Sequence, residues 1–223
     1  MSAHRSESSL LVLLAVRLSG VATTEQVLDR TLLPEAVVGR ELGRAESAGE
    51  VEDLDLGLGG GVVLTESGRL RLAELLAVEL WSAGAREIAA EVLDSFEAGI
   101  NASLVGALSH WQLADGALSA GRSTTGDAAP PAELLETLDE LGGALRELLR
   151  PLMELLPRFG RYPSQYRIAL ERARSGESRW IAGIGILSCH VVWAELHQDL
   201  LSTLGRARGF QHPAGPENTI EER

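Results

Sequence analysis

The 223-residue chain has one cysteine, no lysine and few aromatics: four Trp, two Tyr and three Phe. A single thiol excludes both a disulfide framework and a thiolate-rich zinc site, and it fits a reducing cytosol. Long apolar runs are missing too. The longest, Leu10 to Val16, falls far short of the about 20 residues that cross a bilayer. The weakly charged start, with no cleavage site, does not make a signal peptide. The expectation is a cytoplasmic protein with no membrane segment. Positive charge is scarce, with 20 basic against 32 acidic side chains and a net charge of −12. That balance weighs against an acidic polymer as partner. All the basic residues are arginine in a chain dominated by Leu, Ala, Arg and Gly. This reads as the codon usage of a GC-rich genome, not as a demand for bidentate chemistry.

What is present is 45% apolar residues, enough for one or two domains with a proper core. Two compositional breaks divide the chain. One is the glycine cluster Gly57, Gly59, Gly60 and Gly61; the other is Asp115 to Pro131, a polar Gly/Pro segment expected to be a surface loop. A polar tail, Gly209 to Arg223, closes the chain. These breaks suggest a unit over residues 1–81, a helical unit over 82–208 and a tail over 209–223.

The first unit has the clearest pattern. Ser6 to Leu18 is an apolar helix closed by Gly20. Thr23 with Gln26 three residues later is a capping box, opening a short helix to about Thr31. Pro34 suits the first turn of a third helix, Glu35 to Ser47, which stops at Gly49. Val38, Leu42 and Ala45 give that helix one buried face. Val51 to Leu56 alternates acidic and apolar residues as a half-buried strand does. The glycines turn it into a second strand, Gly61 to Leu64, and Thr65 caps a fourth helix, Glu66 to Trp81.

Three helices, a hairpin and a helix in that order resemble the winged helix-turn-helix of MarR-type regulators. Three places carry the resemblance. They are the exit Ala45-Glu46-Ser47-Ala48-Gly49-Glu50-Val51, the glycine-bearing hairpin, and Leu64-Thr65-Glu66-Ser67-Gly68-Arg69, similar to an "LTxxGR" after the wing. Ala45 stands where the family usually has leucine. The resemblance implies that the third helix enters the major groove of double-stranded DNA and that the wing meets the backbone. Carried over, Arg40 and Arg44, four apart on one helix face, would read DNA, and Arg69 and Arg71 would meet phosphates. The competing reading is that Arg40 and Arg44 are solvated side chains paired with Glu41 or Glu46. Charge sharpens the contest. Residues 1–98 hold 8 arginines against 17 carboxylates, −9, and the first strand carries Glu52, Asp53 and Asp55. Phosphate neutralisation drives non-specific DNA affinity, and nothing here concentrates positive charge.

The second unit reads as helical throughout, so the fold class expected for the chain is mainly α. Ser82 to Leu113 forms one long helix or two shorter ones. Pro131 to Leu156 forms another, with Leu134, Leu138, Leu141, Leu145, Leu148, Leu152 and Leu155 as a core face or a dimer seam. Pro151 is expected to kink or break it. Further helices follow near Ser164–Ser175 and Ser188–Arg206. The last places His190, Trp193 and His197 on one face, and Glu195 and Asp199 four apart on another. His190 and His197 lie two turns apart, too far to share one metal, and three or four ligands would have to converge from elsewhere. His190 and His197 are therefore either buried, hydrogen-bonded residues beside a structural Trp, or part of a ligand pocket lined by His110, Trp111, His190, Trp193 and His197. Cys189 and His190 diverge by about 100° on a helix and form no nucleophile–base pair. No Walker lysine follows the glycine cluster and no G-x-S-x-G occurs.

This half resembles a helical domain of actinobacterial proteins through His110-Trp111-Gln112, Leu156-Pro157-Arg158-Phe159 with Tyr162 and Arg167, and Ser188 to Leu201 with Gly205 and Arg208. Cys189 and Ala194 stand where that domain usually has Tyr and Phe. The domain sometimes accompanies phosphoenolpyruvate-utilising enzymes and implies no activity. The expectation is a homodimeric DNA-binding regulator that needs no cofactor or metal, whose helical half dimerises and senses a small-molecule effector. A protein-docking accessory of a phosphoenolpyruvate-utilising enzyme is the alternative. An enzymatic reading rests on the His/Trp/Glu helix alone.

Overall fold

The structure, a computed structural model, describes residues 4–55, 60–119 and 130–206. Most of the expected 115–131 loop and the whole 209–223 tail lie outside the described residues. Among the described residues the chain is mainly helical, with one small antiparallel two-stranded sheet. Among the described residues no helix is long and apolar enough to cross a membrane.

The helices α1 (Ser8–Ser19), α2 (Thr24–Thr31) and α3 (Glu35–Ser47) come first. Their ends follow the local chemistry of the sequence. The Thr23 hydroxyl accepts from the Gln26 N–H while the Gln26 side chain accepts from the Thr23 N–H, a complete capping box. Gly49, at φ +67°, ends α3 in a Schellman motif, with Glu50 N–H donating to Ala45 C=O and Gly49 N–H to Glu46 C=O. Strands β1 (Val51–Asp55) and β2 (Gly60–Leu64) pair with Val51 opposite Leu64. Val62 also exchanges two backbone hydrogen bonds with Ala22, so the hairpin is tied to the α1–α2 connection. Gly61 permits that approach, since a Cβ there would lie 2.8 Å from Val21 Cγ1.

Helix α4 (Glu66–Ser82) starts where the Thr65 hydroxyl accepts from Gly68 N–H and donates to Gly49 C=O. Gly68 presses on the α3 exit: a Cβ at this position would stand 1.9 Å from the Glu50 carbonyl oxygen. The threonine and the glycine of the "LTxxGR" mark thus join α4 to the end of α3.

A turn at Gly84 (φ +61°) leads to α5 (Arg86–Ser95), one π-turn (Phe96–Ile100) and α6 (Asn101–Ser119). Helix α6 therefore runs into the expected loop as far as Ser119. Helix α7 (Ala132–Leu155) continues through Pro151, so of the expected kink or break the break does not occur. Proline removes one backbone bond, but Leu149 and Leu152 beside it are fully buried, and tertiary burial outweighs the local cost. A 3₁₀ turn (Pro157–Gly160), α8 (Arg161–Arg174), a one-turn α9 (Arg179–Ala182) and α10 (Cys189–Thr203) complete the described residues.

Two apolar clusters form. One joins α1, α2, α3, the hairpin and the first part of α4, from Leu10 to Leu76. The other runs from Leu80 to Leu204 and contains Leu134, Leu138, Leu141, Leu145, Leu149 and Leu152 of α7. The α7 leucine stripe is core. Its last turns use Leu149 as the fully buried position and leave Leu148 and Leu155 half-buried, because a straight helix drifts from a strict heptad.

Candidate functional site

Helix α3 packs on α1, α2 and β1 through Val38 and Ala45, and turns Gly39, Arg40, Gly43 and Arg44 to solvent. Its outer face is open, and added Cβ atoms at Gly39 and Gly43 would meet nothing within 4 Å. The Arg40 side chain is 66% exposed, and its Nε lies 3.8 Å from Glu41. Arg44 is held more firmly. It reaches Glu41 at 3.3 Å and Glu50 at 2.8 Å, and the Glu50 hydrogen bond raises its pKa further. Arg69 and Arg71 are exposed and pair with Glu66 and Glu74 at 3.4 and 3.3 Å. All four arginines have an acidic neighbour within ion-pair distance. Glu52 and Asp53 of β1 face solvent. Across Glu35–Ser47 two arginines meet three glutamates, a net charge of −1.

The five candidate ligand residues do not converge equally. Trp193 is buried, packs its ring at a tilt against Phe96 and Tyr166, and donates its indole N–H to Asn101 Oδ1 at 3.1 Å. His197 is half-buried against Phe96, with Nε2 2.7 Å from Glu97 Oε1. The π-turn brings Phe96 and Glu97 to these positions. Trp111 is half-buried against the same core, while His110 and His190 are exposed. Periodicity placed His190, Trp193 and His197 on one face, yet only the latter two are packed. Among the described residues no group of three His, Cys, Asp or Glu side chains is placed to hold a metal.

The strongest electrostatic feature lies between the two apolar clusters and was not expected. Arg158 donates from Nε to Glu79 Oε2 (2.7 Å), from Nη1 to both Asp199 oxygens (2.8 and 2.7 Å) and from Nη2 to Thr203 Oγ1 (2.7 Å). Tyr162 donates its hydroxyl to Asp199 (2.6 Å) and accepts from Arg161. Ser6 donates to Glu79. On α2, Arg30 grips Glu195 with Nε and Nη2 at 3.0 and 2.7 Å, while Arg161 and Gln165 of α8 donate to the Arg30 and Asp29 carbonyls. Arg30, Arg158 and Arg161 face Glu79, Glu195 and Asp199, three cations against three anions, every side chain at most 10% exposed. Burial raises the Asp199 carboxyl, but Arg158 and Arg161, with hydrogen bonds from Arg158 and Tyr162, outweigh it and hold the group below its ordinary range. Burial pushes the Tyr162 hydroxyl well up, keeping it a neutral donor.

The motifs quoted for the helical half supply Arg158, Tyr162, Glu195 and Asp199 to this network. Spacing in the sequence marked Glu195 and Asp199 as a pair on one face. Their partners come from 41 and 165 residues away, beyond the reach of any local signal. No known protein family, curated protein or solved structure matches this chain.

Proposed function

We propose that the chain is a DNA-binding transcriptional regulator in which residues 1–81 act as a winged helix-turn-helix and α3 is the recognition helix. The observation that carries the reading is the exposed α3 face. The helical half grips α2 and α4 through buried ion pairs, while Gly39, Arg40, Gly43 and Arg44 stay uncovered. The glycines allow close approach to a groove, and Arg40 and Arg44 can offer guanidinium donors to base edges or phosphates. Arg69 and Arg71 serve as backbone contacts, at the cost of leaving Glu66 and Glu74.

A homodimer is part of the proposal, because one short helix reads few base pairs and two-fold symmetry doubles the contact. With the α7 leucines in the core, the surface assigned to the second copy is the outer face of α4, where Leu70, Val78 and Trp81 stand 60%, 60% and 84% exposed.

Fluorescence anisotropy with labelled DNA from upstream of the coding sequence, at low and moderate salt, tests the reading. Saturable binding that weakens with salt is expected, with its loss in the Arg40→Ala/Arg44→Ala variant. Absence of saturable binding at either salt sinks the proposal.

One observation favours a second reading. The α3 arginines are already answered by Glu41 and Glu50, and the hairpin shows Glu52 and Asp53 outward, which suits a protein-docking module better than a phosphate surface. Under that reading the partner is a phosphoenolpyruvate-utilising enzyme. Stoichiometric co-purification with such an enzyme, together with silence in the DNA titration, selects it.

A further inference from the structure

Helices α7 and α8 part around a cavity of about 420 Å³. Its apolar wall is Met153, Pro163, Tyr166 and Leu170, and its charged rim holds Arg146 and Arg167. Two adjacent glycines make the space. Gly142 lets the Tyr166 ring lie against α7, since a Cβ there would be 2.9 Å from Cε1, and Gly143 opens the cavity beside it with nothing within 4 Å of an added Cβ. Two glycines in the interior of a 24-residue helix cost about 2 kcal/mol of helix propensity against alanine, so the notch is made against local preference.

Charge defines the occupant. Asp139, also at the rim, is engaged by Arg174 at 3.3 Å, and Arg167 pairs with Glu171. Arg146 is different. Among the described residues it makes no ion pair and no side-chain hydrogen bond, and the positions three and four away on its own helix are Gly142, Gly143, Leu149 and Arg150. In a chain of net charge −12, an exposed guanidinium without an ion-pair partner at the rim of a partly apolar cavity is suited to a carboxylate, which it can engage through two parallel N–H donors.

We propose that this cavity binds a small organic carboxylate with a flat apolar body, the body against Tyr166, Met153 and Leu170 and the carboxylate on Arg146. Occupancy is felt across the molecule because α8 has two working faces. Arg161 and Gln165 hold the α2 backbone, while Ser164, Tyr166 and Arg167 line the cavity. The site is distinct from the His/Trp pocket expected from sequence. None of those five residues lines it, and Trp193 stands behind its wall, in tilted contact with Tyr166.

The test uses the full chain and 8-anilinonaphthalene-1-sulfonate, whose sulfonate stands in for the carboxylate, with neutral N-phenyl-1-naphthylamine as the uncharged counterpart. Saturable 1:1 enhancement by the anionic dye is expected, with much weaker binding of the neutral one. Displacement by 1-naphthoate but not by inorganic phosphate should follow. Arg146→Ala should weaken the anionic dye about tenfold, corresponding to about 1.4 kcal/mol. Gly143→Leu should fill the notch and abolish binding while raising thermal stability, since it replaces a helix glycine over open space. The proposal is overturned if both variants bind like the wild type, if the neutral dye binds equally well, or if phosphate competes as strongly as naphthoate. Arg146→Ala is a surface change that leaves the core intact, so the outcome does not depend on Gly143→Leu folding. Binding is measured without DNA, so failure here is separable from failure of the DNA reading.

Discussion

Replacing Asp199 with Asn removes one charge from the buried network and keeps the side-chain shape. The wild-type carboxylate is fully buried and receives Arg158, Tyr162 and Thr203 within 3.0 Å. Its loss leaves three arginines facing two carboxylates. Breaking a buried pair from one side costs about 3–5 kcal/mol. Arg158 keeps Glu79 as a partner, which places the expected loss near the lower end, about 3 kcal/mol. At about 2.1 cal/mol/K per residue, a folded region of this size has an unfolding entropy near 0.4 kcal/mol/K, so Tm should fall by roughly 8 °C. Circular dichroism melts and urea titrations at pH 7 measure this. The pH dependence supplies an independent readout. The folded Asp199 pKa is depressed below the unfolded value of about 3.9, so its contribution is complete at neutral pH and disappears as pH falls through the folded value. The gap between wild type and variant should therefore stay constant from about pH 5 to 8 and narrow on further acidification. A Tm change below about 2 °C at pH 7, or a gap that does not narrow in acid, refutes the assignment of this network as a stabilising element between the two apolar clusters.

Other perturbations have equally definite outcomes. Gly68→Ala puts a Cβ 1.9 Å from the Glu50 carbonyl oxygen, and the backbone shift it forces should cost about 1–3 kcal/mol or more, read as a lowered urea midpoint. Glu50→Gln releases Arg44 from its shorter ion pair and, if α3 reads DNA, should tighten binding about two- to fivefold at low salt; unchanged affinity would count against Arg44 as a contact. Burial pushes the Cys189 thiol up to about 12, so iodoacetamide at pH 8 should leave the native protein unmodified and alkylate it readily in urea.

Local signals carried well in the first part of the chain. Thr23 and Gln26, Gly49 and Thr65 each act within a few residues, and each has the structural consequence its chemistry dictates. The strand expected over Val51–Leu56, by contrast, forms as Val51–Asp55 with Val51 buried and Leu54 exposed, so the expected alternation does not set its burial. Periodicity located faces but not their coverage. His190 shares a face with Trp193 and His197, yet it sits in the first turn of α10 and points to solvent, because phase says nothing of how far along a helix its neighbours extend. The π-turn at Phe96–Ile100 was not legible, since the sequence steps of four through Ile88, Val92, Phe96 and Ile100 suit an unbroken helix equally well. The buried network was legible only as fragments. An arginine on a surface-type helix and a glutamate on a distant one look like ordinary solvated charges until folding removes water from both. The α7–α8 cavity left one trace, the Gly142-Gly143 pair inside a leucine-rich helix.

Helix α4 ties the two halves together more tightly than a linker would. Leu72, Leu75 and Leu76 belong to one core, Leu80 to the other, and Glu79 between them takes Arg158. A division after residue 81 would leave Arg30 and Glu79 on one fragment and Glu195, Arg158 and Asp199 on the other. Each fragment would then present unmatched charge on what had been a dry surface. The same arrangement works as a compatibility code in recombination. A foreign N-terminal unit grafted onto this helical half would fit only if it carried a cation at the Arg30 position and an anion at the Glu79 position. Conversely, exchanging the signs at Arg30 and Glu195 together would build a matched pair that rejects the parental halves.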